Sequence, residues 1–218
     1  MNYILDDGIA VISLDDGKAN AVSISFVELL NSYLDQAEQE ASAVIITGRT
    51  GMFCAGFDLK AFQQGAEVAD KLVAGGMAML TRLYEFPLPV IAACDGHAIG
   101  MGAFLLMASD NRVGANSDFQ ICLPETSISM PFTPVLLALI HDRISIAEKT
   151  MAVVQSKRYS PAESIAAGFL DKLVDQNRLM EEAKNLAKDL SALPKEYYCM
   201  NKRSLRKASL ECMHADLK

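Results

Sequence analysis

The sequence has no apolar run approaching the ~20 residues a membrane span requires, which argues against a helical membrane protein and against a membrane partner. It has no block of lysine or arginine, and its formal net charge is −7. Nucleic acid is therefore not an expected partner. No stretch is rich in proline, glycine or serine, and none is of low complexity. With 218 residues and no linker, the chain reads as a single domain. The first seven residues, Met1-Asn2-Tyr3-Ile4-Leu5-Asp6-Asp7, lack the basic region and apolar core of a signal peptide. None of the five cysteines shows metal-ligand spacing, and His97, His141 and His214 do not pair into a metal motif, so no metal is expected. An odd number of cysteines in mostly apolar surroundings fits reduced thiols and a cytoplasmic location. Two catalytic signatures are also missing. Without a Gly-x-Ser-x-Gly elbow, and with Ser109 at a helix end far from any histidine, a Ser/His/Asp hydrolase is unsupported. Without Gly-x-x-x-x-Gly-Lys there is no phosphate loop.

What is present is core-forming material: 51% hydrophobic against 22% charged residues, which argues against disorder. The most organised stretch spans residues 87–115. Pro89-Val90-Ile91-Ala92-Ala93 is long enough for a buried strand, and Asp95-Gly96 breaks it. The chain then passes through Gly100-Met101-Gly102 into an apolar run, 103–108. A run apolar on every side belongs to a central helix. Its first turn, at Met101, Gly102 and Ala103, has backbone N–H groups without helical partners, and such a terminus attracts a negative oxygen. The alternative is that the glycines only let helix and strand approach closely.

The pattern recurs earlier in the chain. Residues 43–48 read as a buried strand running into Gly51-Met52-Phe53-Cys54-Ala55-Gly56-Phe57-Asp58-Leu59-Lys60, with a helix from about Asp58. Before it, residues 8–14 read as a strand. Ser23 or Ser25 caps a helix that carries Val27, Leu30 and Leu34 on one face. Residues 72–86 read as a longer helix whose Met77 and Met79 suit core packing or a flexible ligand wall. Residues 112–115 read as an edge strand, 117–125 as extended chain, and 135–140 and 146–154 as helices. Ser160 and Pro161 open a further helix that Gly168 ends. A strand at 170–174 and amphipathic helices at 179–190 and 196–210 complete the chain.

If the turns at 54–58 and 99–103 lie side by side, their amides can converge on one carbonyl oxygen and stabilise its developing charge. Glu125 is the acid of note. Ile121-Cys122-Leu123-Pro124 precede it and the apolar segment ending at Ile140 follows. Apolar surroundings raise a carboxyl pKa towards the range useful for proton transfer. A capping or solvated glutamate is the plainer alternative.

These residues resemble the crotonase (enoyl-CoA hydratase/isomerase) superfamily over nearly the whole chain, from the first strand to about Val174. The segments that carry the likeness are Phe53-Cys54-Ala55-Gly56-Phe57-Asp58-Leu59, Gly96-His97-Ala98-Ile99-Gly100-Met101-Gly102, Leu123-Pro124-Glu125, Ser160-Pro161-Ala162-Glu163 and Ala167-Gly168-Phe169-Leu170-Asp171. The resemblance implies an α/β fold, a spiral of ββα units over about residues 1–175, with a shortened helical region at about 176–218. It implies an acyl-CoA thioester substrate, with coenzyme A part of that substrate and no separate cofactor, and a homotrimer or hexamer. Under it the Phe57 and Met101 amides form the oxyanion hole, Glu125 is catalytic, and Ala55, Gly56, Asp58, Lys60, Gly100 and Phe104 contact substrate. Lys60 is a candidate for a CoA phosphate, or else a solvated helix lysine.

Two departures select among reactions. Hydratases of the family carry a second glutamate where this chain has Phe104, which can neither accept nor donate a proton. Single-glutamate Δ3,Δ2-enoyl-CoA isomerases match the pattern better, because one base can move a proton from the α- to the γ-carbon. Met101 replaces the usual glycine and narrows the acyl pocket. The expectation is therefore an enoyl-CoA isomerase. The alternatives are an enoyl-CoA hydratase or other acyl-CoA lyase or hydrolase, and a non-catalytic acyl-CoA-binding scaffold. The Met- and Leu-bearing helices after Ile144 are expected to supply the subunit contacts.

Overall fold

The computed structural model describes residues 1–218. Its first feature, a hairpin, goes beyond the sequence reading. Strand β1 (Asn2–Asp6) pairs antiparallel with β2 (Ile9–Ser13) through Asp7 and Gly8, whose φ angles are 52° and 76°. A two-residue loop with both φ positive is the tight turn that Asp-Gly favours.

From there the chain repeats one unit three times. Helix α1 (Ile24–Glu40), capped by the Ser23 hydroxyl, which accepts from the Phe26 N–H at 3.1 Å, leads into the first. It comprises β3 (Ala43–Thr47), β4 (Gly51–Cys54) and the helices α2 (Leu59–Phe62) and α3 (Ala66–Tyr84). The second is β5 (Val90–Cys94), β6 (Gly96–Ile99) and α4 (Met101–Ala108). The third is β7 (Asn111–Ala115), β8 (Ile121–Cys122), a 3₁₀ turn at Glu125–Ile128 and α5 (Pro134–Arg143). The first strand of each unit joins a six-stranded sheet that, with the flanking strands, runs β1-β2-β3-β5-β7 and then β10 (Lys172–Val174). The second strand of each joins a four-stranded sheet, β4-β6-β8 and then β9 (Arg158–Tyr159). The units follow one another in the same order in both sheets, which is the expected spiral.

The continuous apolar runs of β2, β3 and β5 follow from burial on both faces. Ala10, Ile12, Val44, Ile46 and Ala92 point into the main core; Ile9, Val11, Ile45, Ile91 and Ala93 point the other way. There they meet Leu179, Ala183 and Ala187 of α7 (Leu179–Ser191), so the first C-terminal helix is a cover for the large sheet. Every residue of α4 is buried, as its unbroken apolar run predicts.

Several elements differ from the sequence reading. Strands β4 and β6 sit in what read as glycine turns. Each is four residues long and begins with glycine, too short to show a period of two. Their glycines are needed for contact: a Cβ on Gly96 would lie 2.0 Å from the Met52 nitrogen. Strand β7 is not an edge, because β10 adds beyond it. Within 117–125 only β8 is strand, and within 146–154 only a π turn at Thr150–Val154 forms. The helix at 160–168 behaves as expected. In α6 (Pro161–Ala167), Ser160 and Glu163 form a capping box, and Gly168 takes φ 95°.

The helix expected at 196–210 divides at Arg206 into α8 (Lys195–Leu205) and α9 (Lys207–Asp216). Arg206 is drawn inward over the Tyr84 ring, 4.1 Å from its centroid, and its guanidinium meets Asp110 at 2.8 Å. Lys202 meets the same carboxylate at 2.7 Å and also donates to the Phe86 and Leu88 carbonyls. This buried cluster fastens the C-terminal helices to the unit that carries α4. No helix is long and apolar enough to cross a membrane.

Candidate active site

Strands β4 and β6 pair in parallel, so the turns that leave them are neighbours. On the first turn, the Ala55 N–H donates to the Ala19 carbonyl and the Asp58 N–H to the Val22 carbonyl. The Gly56 carbonyl accepts from the Val22 N–H. These bonds pin the turn on both sides of Phe57, whose own N–H donates to no backbone carbonyl. On the second turn, Gly100 takes φ 52° as the residue before α4, and its carbonyl accepts from the Phe104 N–H at 3.0 Å. Met101 is the first residue of α4, and its N–H is one of those a helix leaves free.

Glycines set how closely the turns approach. A Cβ on Gly56, which has φ 94°, would lie 2.9 Å from the Ile99 oxygen and 3.6 Å from the Met101 nitrogen. A Cβ on Gly102 would lie 2.1 Å from the Cys54 oxygen. The first turn of α4 therefore rests on the end of β4, and the two free amides belong to adjoining segments.

Both turns open on a cavity of about 230 Å³, and Glu125 stands on its wall. Among the cavity's lining residues Glu125 alone is titratable. Its Oε1 is 3.2 Å from where a Gly100 Cβ would be, so glycine there leaves room for the carboxyl group. The carboxyl is 7% exposed, and Oε2 is buried with no hydrogen-bond partner. Burial pushes the Glu125 pKa up from 4.5 to about 7, opposed only by a backbone hydrogen bond. Buried polar atoms are almost always partnered; a carboxyl group on an apolar cavity wall with one oxygen unpartnered is suited to taking a proton from something placed there.

Six of the residues singled out in the sequence are brought together here: Ala55, Gly56, Phe57, Gly100, Met101 and Glu125 all line the cavity. Three others lie elsewhere. Asp58 caps α2, its Oδ1 accepting from the Lys60 N–H at 3.0 Å, and Lys60 is exposed on that helix. Phe104, expected to contact substrate, is off the cavity wall. It is fully buried and packs edge-on to Phe132 at 6.4 Å, because α4 is enclosed on every side. His97 uses Nδ1 to accept from the Gln120 N–H. The thiols of Cys54 and Cys94 are pushed up to about 12 by burial and are unreactive.

Helix α3, helix α5 and the cap of α5 supply wall residues that motif reading does not reach: Val73, Leu136 and Thr133. Of the two methionines weighed as core or ligand wall, both are buried in the core, and Met77 also reaches the cavity wall. Gly76, inside α3, is the sequence's one mark of this wall. A Cβ there would meet the Phe57 ring at 2.7 Å and the Met101 Cε at 3.2 Å, so it makes space for both side chains.

The model of the family described as enoyl-CoA hydratase/isomerase matches residues 5–216. A carnitinyl-CoA dehydratase of Salmonella typhi is 33% identical over 184 residues, 82% of this chain and 69% of the relative. An enoyl-CoA hydratase/isomerase family protein of Pseudomonas syringae has a similar crystal structure. Its TM-score is 0.96 at 37% identity, covering 99% of this chain and 94% of that one. An enoyl-CoA isomerase of Mycobacterium tuberculosis superposes with a TM-score of 0.94 at 33% identity, over 99% of this chain and 95% of that one.

Proposed function

The chain belongs to the enoyl-CoA hydratase/isomerase family, and from that premise we propose that it is a Δ3,Δ2-enoyl-CoA isomerase with Glu125 as its proton shuttle. The observation that carries the reading is that Glu125 is the one titratable residue on the cavity wall. Activating water for addition to a double bond is well served by two carboxylates. Moving a double bond by one position needs a single base.

The thioester carbonyl lies with its oxygen towards the Phe57 and Met101 amides. Glu125 takes a proton from C2, and the C–H electron pair forms the C1=C2 bond of a dienolate as the carbonyl π pair moves onto oxygen; when C4 is protonated that pair returns, C1=C2 becomes C2=C3, and the former C3=C4 pair binds the proton. In the intermediate the negative charge rests on the carbonyl oxygen, where two preorganised N–H groups stabilise it. The Glu125 carboxylic acid then returns the same proton to C4. A carboxyl titrating near 7 suits both halves, being basic enough to accept and acidic enough to donate. Lys60, exposed one residue beyond the cavity-lining Leu59, is the candidate for a CoA phosphate, with a solvated helix lysine as the alternative.

The dehydratase described among the relatives favours a second reading, elimination or addition of water across the C2=C3 bond. A panel of 3-enoyl-CoA, 2-enoyl-CoA and 3-hydroxyacyl-CoA thioesters, analysed by mass spectrometry, separates the two. Isomerisation leaves mass unchanged, whereas hydration adds one water. Conversion of 3-hydroxyacyl-CoA faster than 3-enoyl-CoA would overturn the isomerase reading.

The chain is further expected to assemble as a trimer or a pair of trimers. Ile146 and Leu205 are 89% and 87% exposed, and Tyr197 and Val154 are exposed as well. Large apolar side chains so far into solvent are candidates for the surface that the partner subunits cover. Sedimentation at micromolar concentration should show three or six chains; a monomer there would refute the assembly.

A further inference from the structure

Three residues of the catalytic cavity, Val73, Met77 and Thr133, also line a second and larger space of about 760 Å³. This groove is bounded by Ile24 and Val27 of α1, by α3, and by Leu217 just past α9. Along it α3 presents the small residues Ala74, Gly75 and Ala78 beside the apolar Leu72, Val73 and Met77, with the charged Asp70 and Lys71 at its border. The charged residues that border the groove, such as Asp70, are exposed.

Met77 and Thr133 stand between the two spaces. The Thr133 hydroxyl donates to the Met77 sulfur at 3.0 Å, and its oxygen accepts from the Leu136 N–H at 3.4 Å as the cap of α5. The threonine is thus fixed by a helix terminus, and it holds the methionine in place. Methionine has three rotatable bonds and no charge, so although Met77 is buried it is a wall residue that can repack around an apolar chain. The catalytic cavity, at about 230 Å³, is smaller than the roughly 300–1,000 Å³ of typical ligand pockets. It has room for the thioester and the first carbons beyond it. A longer tail whose C2 and C4 sit at Glu125 must continue elsewhere, and the shared residues show where.

We infer that the acyl tail of the substrate passes between Met77 and Thr133 into the groove formed by α1, α3 and the end of α9, which makes long unbranched acyl chains the preferred substrates. The inference rests on the acyl-CoA reading given above, but not on which reaction follows.

Calorimetric titration with saturated, unreactive butanoyl-, octanoyl- and dodecanoyl-CoA tests it without turnover. In the wild type, affinity should rise with length, by up to roughly fourfold per methylene buried. Two substitutions obstruct the groove away from the catalytic cavity. Ala78 is exposed, so Ala78→Phe does not disturb the core. Gly75→Leu starts from a Cβ only 3.6 Å from Val27, an ordinary contact. Either variant should weaken dodecanoyl-CoA by about 10–100-fold, the loss of a few buried methylenes, and leave butanoyl-CoA unchanged. Wild-type affinity that is flat beyond butanoyl-CoA overturns the inference. So do variants that weaken all three ligands equally or leave dodecanoyl-CoA untouched. Failure of butanoyl-CoA itself to bind the wild type would instead overturn the acyl-CoA reading, and the groove assignment with it.

Discussion

Glu125→Gln will lower turnover of a 3-enoyl-CoA by about 10²–10⁴-fold, the usual contribution of a positioned acid–base group, and will leave thioester affinity unchanged. Glutamine preserves the size of the side chain and one acceptor oxygen but cannot carry the proton. On the proposed reading binding survives because the carbonyl is held by the backbone N–H groups of Phe57 and Met101, which the substitution does not touch. The pH profile gives an independent reading. The carboxyl must be ionised to accept a proton, so kcat/KM of the wild type should rise through a pKa of about 7. Equal rates for variant and wild type, both folded and both binding thioester, would show that another group is the base. Asp58 and His97 are the alternative bases the sequence motifs offer, and neither lines the cavity.

The same substitution has a stability effect of definite sign. Because the folded pKa of Glu125 is raised, the folded protein holds its proton more tightly than the unfolded chain does. The associated stability is fully present below 4.5 and is lost as pH rises through about 7. At 1.36 kcal/mol per pH unit, the loss approaches about 3 kcal/mol at pH 8. Glutamine has no such proton, so Glu125→Gln should be more stable than wild type at pH 8 by up to that amount and equal to it near pH 4.5. Denaturant titrations at the two pH values check this. With Glu125 as the proposed base, a carboxylate that weakens the fold it sits in is an ordinary stability–activity trade.

The same features mark how far the sequence could be read. Buried strands β3 and β5 and helix α4 are legible because a segment enclosed on all sides must be apolar throughout, and the Ser160 and Gly168 caps because helix ends require particular residue types. Strands β4 and β6 are not legible, since two four-residue strands in close contact replace side chains with glycine and so erase the alternation that identifies a strand. The Ala55–Gly56–Phe57 and Gly100–Met101 segments could be placed from the repeated glycine pattern. The far wall could not. Val73, Met77, Thr133 and Leu136 come from α3, α5 and the cap of α5, distant in sequence from those turns, and nothing local distinguishes a core methionine that reaches a cavity wall from one that does not. Phe104 shows the opposite error. Its position in the motif pointed to the substrate, but the all-apolar helix that carries it is enclosed by neighbours, so the ring is spent on packing.

Gly102→Ala will destabilise the protein by about 1–3 kcal/mol, the cost of forcing a side chain into a filled space, and will lower turnover by about 10²-fold. Helix propensity alone predicts the reverse. Gly102 lies in the first turn of α4, and replacing a helical glycine by alanine ordinarily adds about 0.5–1 kcal/mol. Contact decides the sign here, because the new Cβ would lie 2.1 Å from the Cys54 oxygen and 2.8 Å from its carbonyl carbon. Both are backbone atoms, so no side chain can rotate out of the way and α4 must lift from the end of β4. Cys54 leads directly into the Ala55–Phe57 turn, and Gly102 follows Met101, so that single displacement moves the two free amides apart. A misplacement of about 1 Å is enough to cost 10²-fold in a preorganised site, close to the loss of one oxyanion donor. Gly75→Ala is the matched control. It is also in a helix, but its Cβ would meet only Val27 at 3.6 Å, so it should gain stability by about 0.5–1 kcal/mol. Denaturant midpoints and kcat with a 3-enoyl-CoA, measured for both variants beside wild type, decide the matter. If Gly102→Ala matches the control in stability and the wild type in rate, the contact between α4 and β4 does not set the spacing of the amides.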